Sequence, residues 1–402
     1  MSKRRKEFAP PRPLTRKQRT RAEREARMNR WIIAGTVAVG VLVIGILLFG
    51  YLATDVFPRR KPVATVNGVP ITTADFQARV RHYRIVLQQQ KDYLSAQRME
   101  LDPTDPSNAF LLEYLDNQIR QIDAMLSDTY TMMVGQEVLD QMVQEEIIRQ
   151  EAIRRGLSVS SEEIDRAIEE QFGYNRDAAM AALLTPTIVA PVSGTAETVV
   201  TATATPIPTP IPKEEFDRRY QEYVKTYLKP SGLSEAQFRA MVEATLLYDK
   251  LYQAMAAELP SAMEQVQIRY FSFPTHEEAE QVVERLGQGE KWEAIAAEIE
   301  ADDQGEGMAS EPEWATRGFL VQQFGDEAAR TIWETPAPRY TAPLTGTVGN
   351  RWYVVQVMGR EVRELEPWLR SYEEQQAFQE WLQAQMATVQ YTEDWASKIP
   401  AK

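Results

Sequence analysis

Gln136–Phe172, QEVLDQMVQEEIIRQEAIRRGLSVSSEEIDRAIEEQF, leaves the chain little freedom: it reads as one long helix, a sharp break and a second helix. Val138, Leu139, Met142, Val143, Ile147, Ile148 and Ile153 recur at three- and four-residue steps and therefore share one face. Gly156 stops the first helix, because glycine takes the left-handed C-terminal conformation without a Cβ clash. Ser160 followed by Glu163 is a capping box that starts the second. Periodicity alone fits a helical hairpin in many cores.

With 402 residues the chain has room for two or three domains and a sizeable core. Its charge is unevenly spread. Residues 1–30 hold 12 Lys/Arg and 3 Asp/Glu, while the rest carries 33 Lys/Arg against 55 Asp/Glu. An acidic body argues against nucleic acid as a partner. The absence of cysteine excludes disulfides, thiolate metal sites and a lipidated N-terminal cysteine. Only two histidines exist, His82 and His276.

Residues 1–30 form a polar, basic tail containing Pro10, Pro11 and Pro13, which reads as a topology signal rather than a nucleic-acid-binding arm. Ile32–Ala53 follows with 22 uncharged residues. As a helix it would run roughly 33 Å, enough to cross a bilayer core. Trp31 and Tyr51 flank it at interfacial positions, and the basic excess before it places the N-terminus in the cytoplasm. A cleavable signal peptide is the alternative, but Tyr51-Leu52-Ala53 is a poor cleavage site. The expectation is a single-pass membrane anchor at 31–53 with the bulk of the chain extracytoplasmic.

Val63–Ile71 (VATVNGVPI) predicts two short strands around Asn67-Gly68, and Thr72 or Thr73 caps the helix that follows. His82 lies on that helix among Arg79, Arg81 and Arg84, a setting that predicts a solvated ring. Leu183–Pro212 is rich in Thr, Pro, Ala and Val, with Glu197 as its one charge. Its prolines remove backbone donors, so it predicts a disordered, extended insert: a spacer, a glycosylated segment or a partner-binding one. Helices resume at Lys213, and Ser234 with Gln237 opens another through Phe238, Met241, Leu247 and Leu251.

The words "VNGVPIT", "RRGLSVSSEEID" and "GLSEAQFRAMVEATLLYDKL" together resemble the N-terminal chaperone domain of the SurA/PrsA/PpiD foldases, across roughly 63–260. That resemblance implies helices that cradle unfolded client segments. The insert is a departure, at a loop tip that tolerates length. Further on, VQIRYFSF, EEAEQVVERLGQGEKWEAIAAEI and LTGTVGNRWYVVQV resemble a parvulin-type peptidyl-prolyl isomerase domain across about 266–360, with helices near 276–300 and at Gln322–Glu334.

Isomerising an X-Pro bond means crossing a barrier of about 18–20 kcal/mol set by amide resonance. A catalyst needs an apolar seat for the ring and polar groups that favour a twisted amide. The resemblance implies two histidines above an acidic residue or cysteine. By position these fall at Tyr270, at Tyr353 (or Trp352), and at Asp302 or Asp303; the ring seat falls at Leu320 and Phe324, with Trp314 keeping the family spacing. Both histidines are therefore replaced, and neither His82 nor His276 can restore them. Asp302, Asp303 and Glu306 lack calcium-loop spacing, so no metal or cofactor is expected.

The expected fold class is mainly α with α+β: a single N-terminal transmembrane helix, a helical SurA-type lobe and a parvulin-like α+β domain. The expected divisions are a basic tail (1–30), the anchor (31–53), the chaperone lobe (61–260, insert 183–212), the parvulin-like domain (261–362) and a C-terminal helix (363–402) that returns to the lobe. The expected function is a membrane-anchored chaperone for unfolded or nascent secreted chains, near the translocation machinery, with a weak or lost isomerase site. The alternatives are an active parvulin-type isomerase and a scaffold with one fixed partner.

Overall fold

In the computed structural model, which describes residues 43–44, 46, 61–177, 211–302, 305–346 and 351–401, the two ends of the described chain meet in one small sheet. Strands β1 (Pro62–Val66) and β2 (Val69–Thr72) form a hairpin in which Asn67 and Gly68 both have positive φ, 48° and 89°. That backbone twist suits a two-residue hairpin turn, and Asn-Gly supplies it with least strain. Strand β9 (Gln390–Tyr391) adds to β1, pairing Ala64 with Tyr391.

Thr72 caps helix α1 (Thr73–Glu100) by accepting from the Asp75 amide. Then come α2 (Ala109–Leu126), α3 (Thr131–Arg154) and α4 (Ser161–Gln171), the last opened by the Ser160–Glu163 capping box. Gly156, at φ 71°, takes the left-handed conformation just past the end of α3. Helix α5 (Lys213–Tyr223) continues through a π-helical turn, Val224–Leu228, and the Ser234–Gln237 capping box starts α6 (Glu235–Glu258).

The second unit is built on strand β3 (Ala262–Phe273). Helices α7 (His276–Gly287) and α8 (Trp292–Ala301) follow, then β4 (Met308–Ala309), β5 (Glu313–Ala315), α9 (Arg317–Phe324) and α10 (Asp326–Glu334). Gly325, at φ 86°, splits the single helix expected at Gln322–Glu334 into α9 and α10. Strands β6 (Arg339–Tyr340), β7 (Leu344–Thr345) and β8 (Trp352–Glu364) complete an antiparallel sheet in the order β4-β3-β8-β6, with β5 also on β3 and β7 on β8. Helix α11 (Pro367–Met386) follows β8.

The main core of the helical unit draws on both ends of the chain: Val63, Phe76, Leu139, Val143, Leu251, and Phe378 and Leu382 of α11. Phe378 is 1% exposed, with Tyr248 and Tyr252 edge-on at 4.9 and 5.5 Å. The sheet of the second unit has a core on each face, Val266, Ile268 and Phe324 on one and Phe271, Phe273 and Trp292 on the other.

The described structure is thus mainly helical with some sheet. The transmembrane helix in the expected fold class, and the membrane localisation built on it, are corrected: no helix among the described residues is long and apolar enough to cross a membrane. Each long helix in this set carries charges along its solvent face that a bilayer core would not accept. The stretch Ile32–Ala53 lies outside the described residues apart from Val43, Ile44 and Ile46, as do residues 183–210 of the Thr/Pro-rich segment and the Gly349-Asn350 turn.

Candidate functional site

Two concave regions are candidates, one in each unit. In the helical unit, α3 and α6 run side by side and leave two clefts of about 220 and 290 Å³ that share Glu145. Met142 and Glu145 project from α3, Ala240, Met241, Thr245 and Tyr248 from α6, and Arg79 reaches in from α1. The spacing of Met142 and Glu145, and of Met241, Thr245 and Tyr248, follows one helix face at three- and four-residue steps. Arg79 pairs with Glu145, and Gln237 donates to Asp75 at 2.6 Å. Burial nevertheless pushes the Glu145 carboxyl above its usual range, against the pull of Arg79. The clefts thus set the flexible thioethers of Met142 and Met241 among charged groups, Asp75, Arg79, Glu145, Glu146 and Arg149.

In the second unit, Tyr270 and Tyr353 stand on the same sheet face: Tyr270 pairs with Val355, and Tyr353 with Ser272 two residues on. Their rings meet edge-on at 5.7 Å, and both meet Phe324, at 5.4 and 5.1 Å. Leu320 is fully buried and Phe324 is 1% exposed. The two residues expected to seat a proline ring are therefore part of the core beneath the tyrosines. A cleft of about 450 Å³ lies beside Phe324, bounded by Leu344, Trp352 and the start of α10 at Asp326 and Glu327.

Trp314 and Asp302 are not brought to this group. Trp314 pairs with Gln267, and its ring lies under the Arg363 guanidinium at 4.6 Å, on the other face of the sheet. Asp302 follows α8 and lines a cavity with Phe273 and Arg285, against the opposite core; Asp303 lies outside the described residues. Among the described residues no cluster of His, Cys, Asp or Glu could hold a metal ion.

The carboxylate that does face the tyrosines is Glu313. It shares the sheet face of Ala315, and the two pair with Ile268 and Val266, both in the core under Tyr270. Gln323 donates from Nε2 to the Tyr270 hydroxyl at 3.0 Å and also hydrogen-bonds Glu313, while its Oε1 is buried with no hydrogen-bond partner among the described residues. Burial raises the Glu313 carboxyl, with Gln323 opposing; burial, then the Glu313 charge, raises the Tyr270 phenol. Strand alternation is the signal that could have found Glu313, since it lies two residues before Ala315. The chemistry that Tyr270, Tyr353, Gln323 and Glu313 offer is hydrogen bonding.

The two regions are joined by α11. Thr316, which caps α9, donates to the Glu373 carboxylate, and both residues are buried. The Tyr372 hydroxyl donates to the Gly318 carbonyl at 3.2 Å, and Phe319 stands edge-on to Trp368 and Tyr372 at 5.2 and 5.5 Å. Helix α9 therefore carries Leu320, Gln323 and Phe324 on one side and grips α11 with the other.

Residues 24–180 match the family model of the SurA-like N-terminal domain. The chain carries that domain. The resemblance drawn from "RRGLSVSSEEID" lies within the matched segment, and the α3 wall of the groove belongs to the SurA-like domain, whereas α6 and α11 come from later sequence. No curated protein matches the chain. Among solved structures, the peptidylprolyl isomerase PrsA of Bacillus anthracis is 13% identical, covering 66% of this chain and 99% of that one with a TM-score of 0.31. Foldase protein PrsA of Streptococcus pneumoniae is 10% identical, covering 65% and 80%, with a TM-score of 0.24. A SurA-like chaperone of Campylobacter jejuni is 12% identical, covering 83% and 100%, with a TM-score of 0.23.

Proposed function

We propose that this chain is a holding chaperone that binds unfolded polypeptide in the α3–α6 groove, and that its parvulin-like unit has lost efficient prolyl isomerase activity. The observation that carries the reading is the match of residues 24–180 to the SurA-like N-terminal domain, with a groove along its third helix that sets Met142 and Met241 among the charged Asp75, Arg79, Glu145, Glu146 and Arg149. Extended client segments would lay apolar side chains against Met142 and Met241, while the side-chain oxygens of Gln141 and Gln144 at the margins can accept from peptide N–H groups. Such contacts are non-directional and tolerate many sequences, which is what holding unfolded chains requires.

The loss of catalysis follows from the second site. A twisted amide is favoured by groups placed on the transition state rather than on the ground state. Tyr270 and Tyr353 stand where the parvulin resemblance implies histidines, and Leu320 and Phe324 are packed under them. Tyrosine hydroxyls can still donate, so a weak residual rate is compatible with the site.

The test is suppression of aggregation of a chemically unfolded protein by the full-length chain. Thr245 is exposed on the cleft wall, so Thr245→Trp fills the groove without entering the core. The expected result is that the unaltered chain suppresses aggregation and that T245W, with unchanged helix content, is severalfold weaker. No suppression by the unaltered chain would remove the holding function; equal suppression by T245W would remove the groove.

A further inference from the structure

Beyond Leu87 no residue of α1 is buried, and α2 buries only Leu115 and Ile122. The outer half of α1 and all of α2 thus form a two-helix arm whose seam is thin. Its tip is apolar. Met99 is 78% exposed and Phe110 82%, and Leu111 and Tyr114 are exposed beside them, all within two turns of the loop at 101–108. Tyr93 stands further down α1 at 64%. A folding role would bury such side chains; here large aromatic and thioether groups face solvent together.

The same arm is acidic. Residues 86–130 hold three cations, Lys91, Arg98 and Arg120, against eight carboxylates. Two of the cations are paired inside the arm, Lys91 with Asp123 at 2.5 Å and Arg98 with Asp116, while Arg120 donates to the neutral Asn117 and its charge acts on Asp116. What remains for a partner is an apolar tip in a field of negative charge, with Glu100 and Glu113 exposed near it.

We infer that the arm tip is a second client-binding surface, selective for unfolded segments that interleave apolar residues with Lys or Arg. The inference rests on the holding function proposed above and names the class of segment it takes. Charge decides the occupant. A second copy of the arm would set like charges against each other, and an anionic lipid surface would be repelled in the same way, whereas a cationic apolar segment satisfies both features.

The experiment measures binding of two labelled peptides to the full-length chain. They share one apolar pattern and differ in carrying lysine or glutamate between the apolar residues. The lysine peptide is expected to bind about tenfold more tightly, with an affinity that falls as salt rises. Phe110→Ser with Leu111→Ser and Tyr114→Ser should remove most of that affinity, and Glu100→Gln with Glu113→Gln should reduce it severalfold. These residues are exposed, so helix content should not change. Equal affinity for the two peptides, or full affinity in the triple variant, would overturn the inference. Self-association that disappears in the triple variant would make a second copy the occupant and overturn it as well. If the unaltered chain suppresses aggregation and the triple variant binds the lysine peptide as well as it does, the arm alone is wrong; if the unaltered chain neither suppresses aggregation nor binds either peptide, the holding function falls with it.

Discussion

Sequence neighbours surround His82 with Arg79, Arg81 and Arg84, and a solvated ring follows from that pattern. In the fold the ring is 7% exposed and shares a 2.9 Å hydrogen bond with the Tyr223 hydroxyl. Tyr223 lies across the segment that separates α4 from α5, so no local pattern points to it. Burial, with the charge of Arg79 adding to it, pushes His82 down to about 4. The unfolded ring titrates near its ordinary value and the folded ring well below it, so the unfolded state binds the extra proton. The stability contributed by the neutral ring is present above pH 6.5 and is lost as pH falls towards 4. Comparing wild type with His82→Gln in urea unfolding should show a difference in that window on the order of 1 kcal/mol, allowing for solvent screening. No difference between pH 7 and pH 4 would place the ring in water. Glu313 shows the same limit in reverse: its facing is readable from strand alternation, but the Gln323 partner depends on how α9 packs.

At the scale of elements, the capping residues were the most legible. Ser160 with Glu163 and Ser234 with Gln237 both form the capping boxes their spacing announces, because the bonds are local. The Asn67-Gly68 hairpin is legible for the same reason. The α9–α10 break was missed, since a glycine at a helix junction looks like a glycine inside one helix. Strand β9 is two residues long and has no period to detect. Helix α11 is the element on which the assembly depends, because Phe378 enters a core shared with β1, α1, α3 and α6 through Val63, Phe76, Leu139 and Leu251. Phe378→Ala should cost about 3–5 kcal/mol, read as an earlier denaturation midpoint of the helical unit. A cost below about 1 kcal/mol would mean that α11 only rests on the surface.

For the molecule as a whole, the two units differ in the surfaces they present. The helical unit presents a groove and an arm with accessible apolar groups; the sheet-based unit presents tyrosines over a filled core. Helix α11 ties them together through Thr316, Phe319, Tyr372 and Glu373, so the second unit is held beside the first as one body of contacts. The foldase resemblance was legible because its wording sits on helix caps and breaks. The burial of Leu320 and Phe324 was not, because it depends on long-range packing between β3, β8 and α9. Refolding of an unfolded protein whose slow phase is limited by prolyl isomerisation, with and without the full-length chain, separates the two activities. The expected result is a higher final yield with the slow-phase rate unchanged from the uncatalysed one. A slow phase accelerated in proportion to the amount of chain added, with no gain in yield, would contradict it.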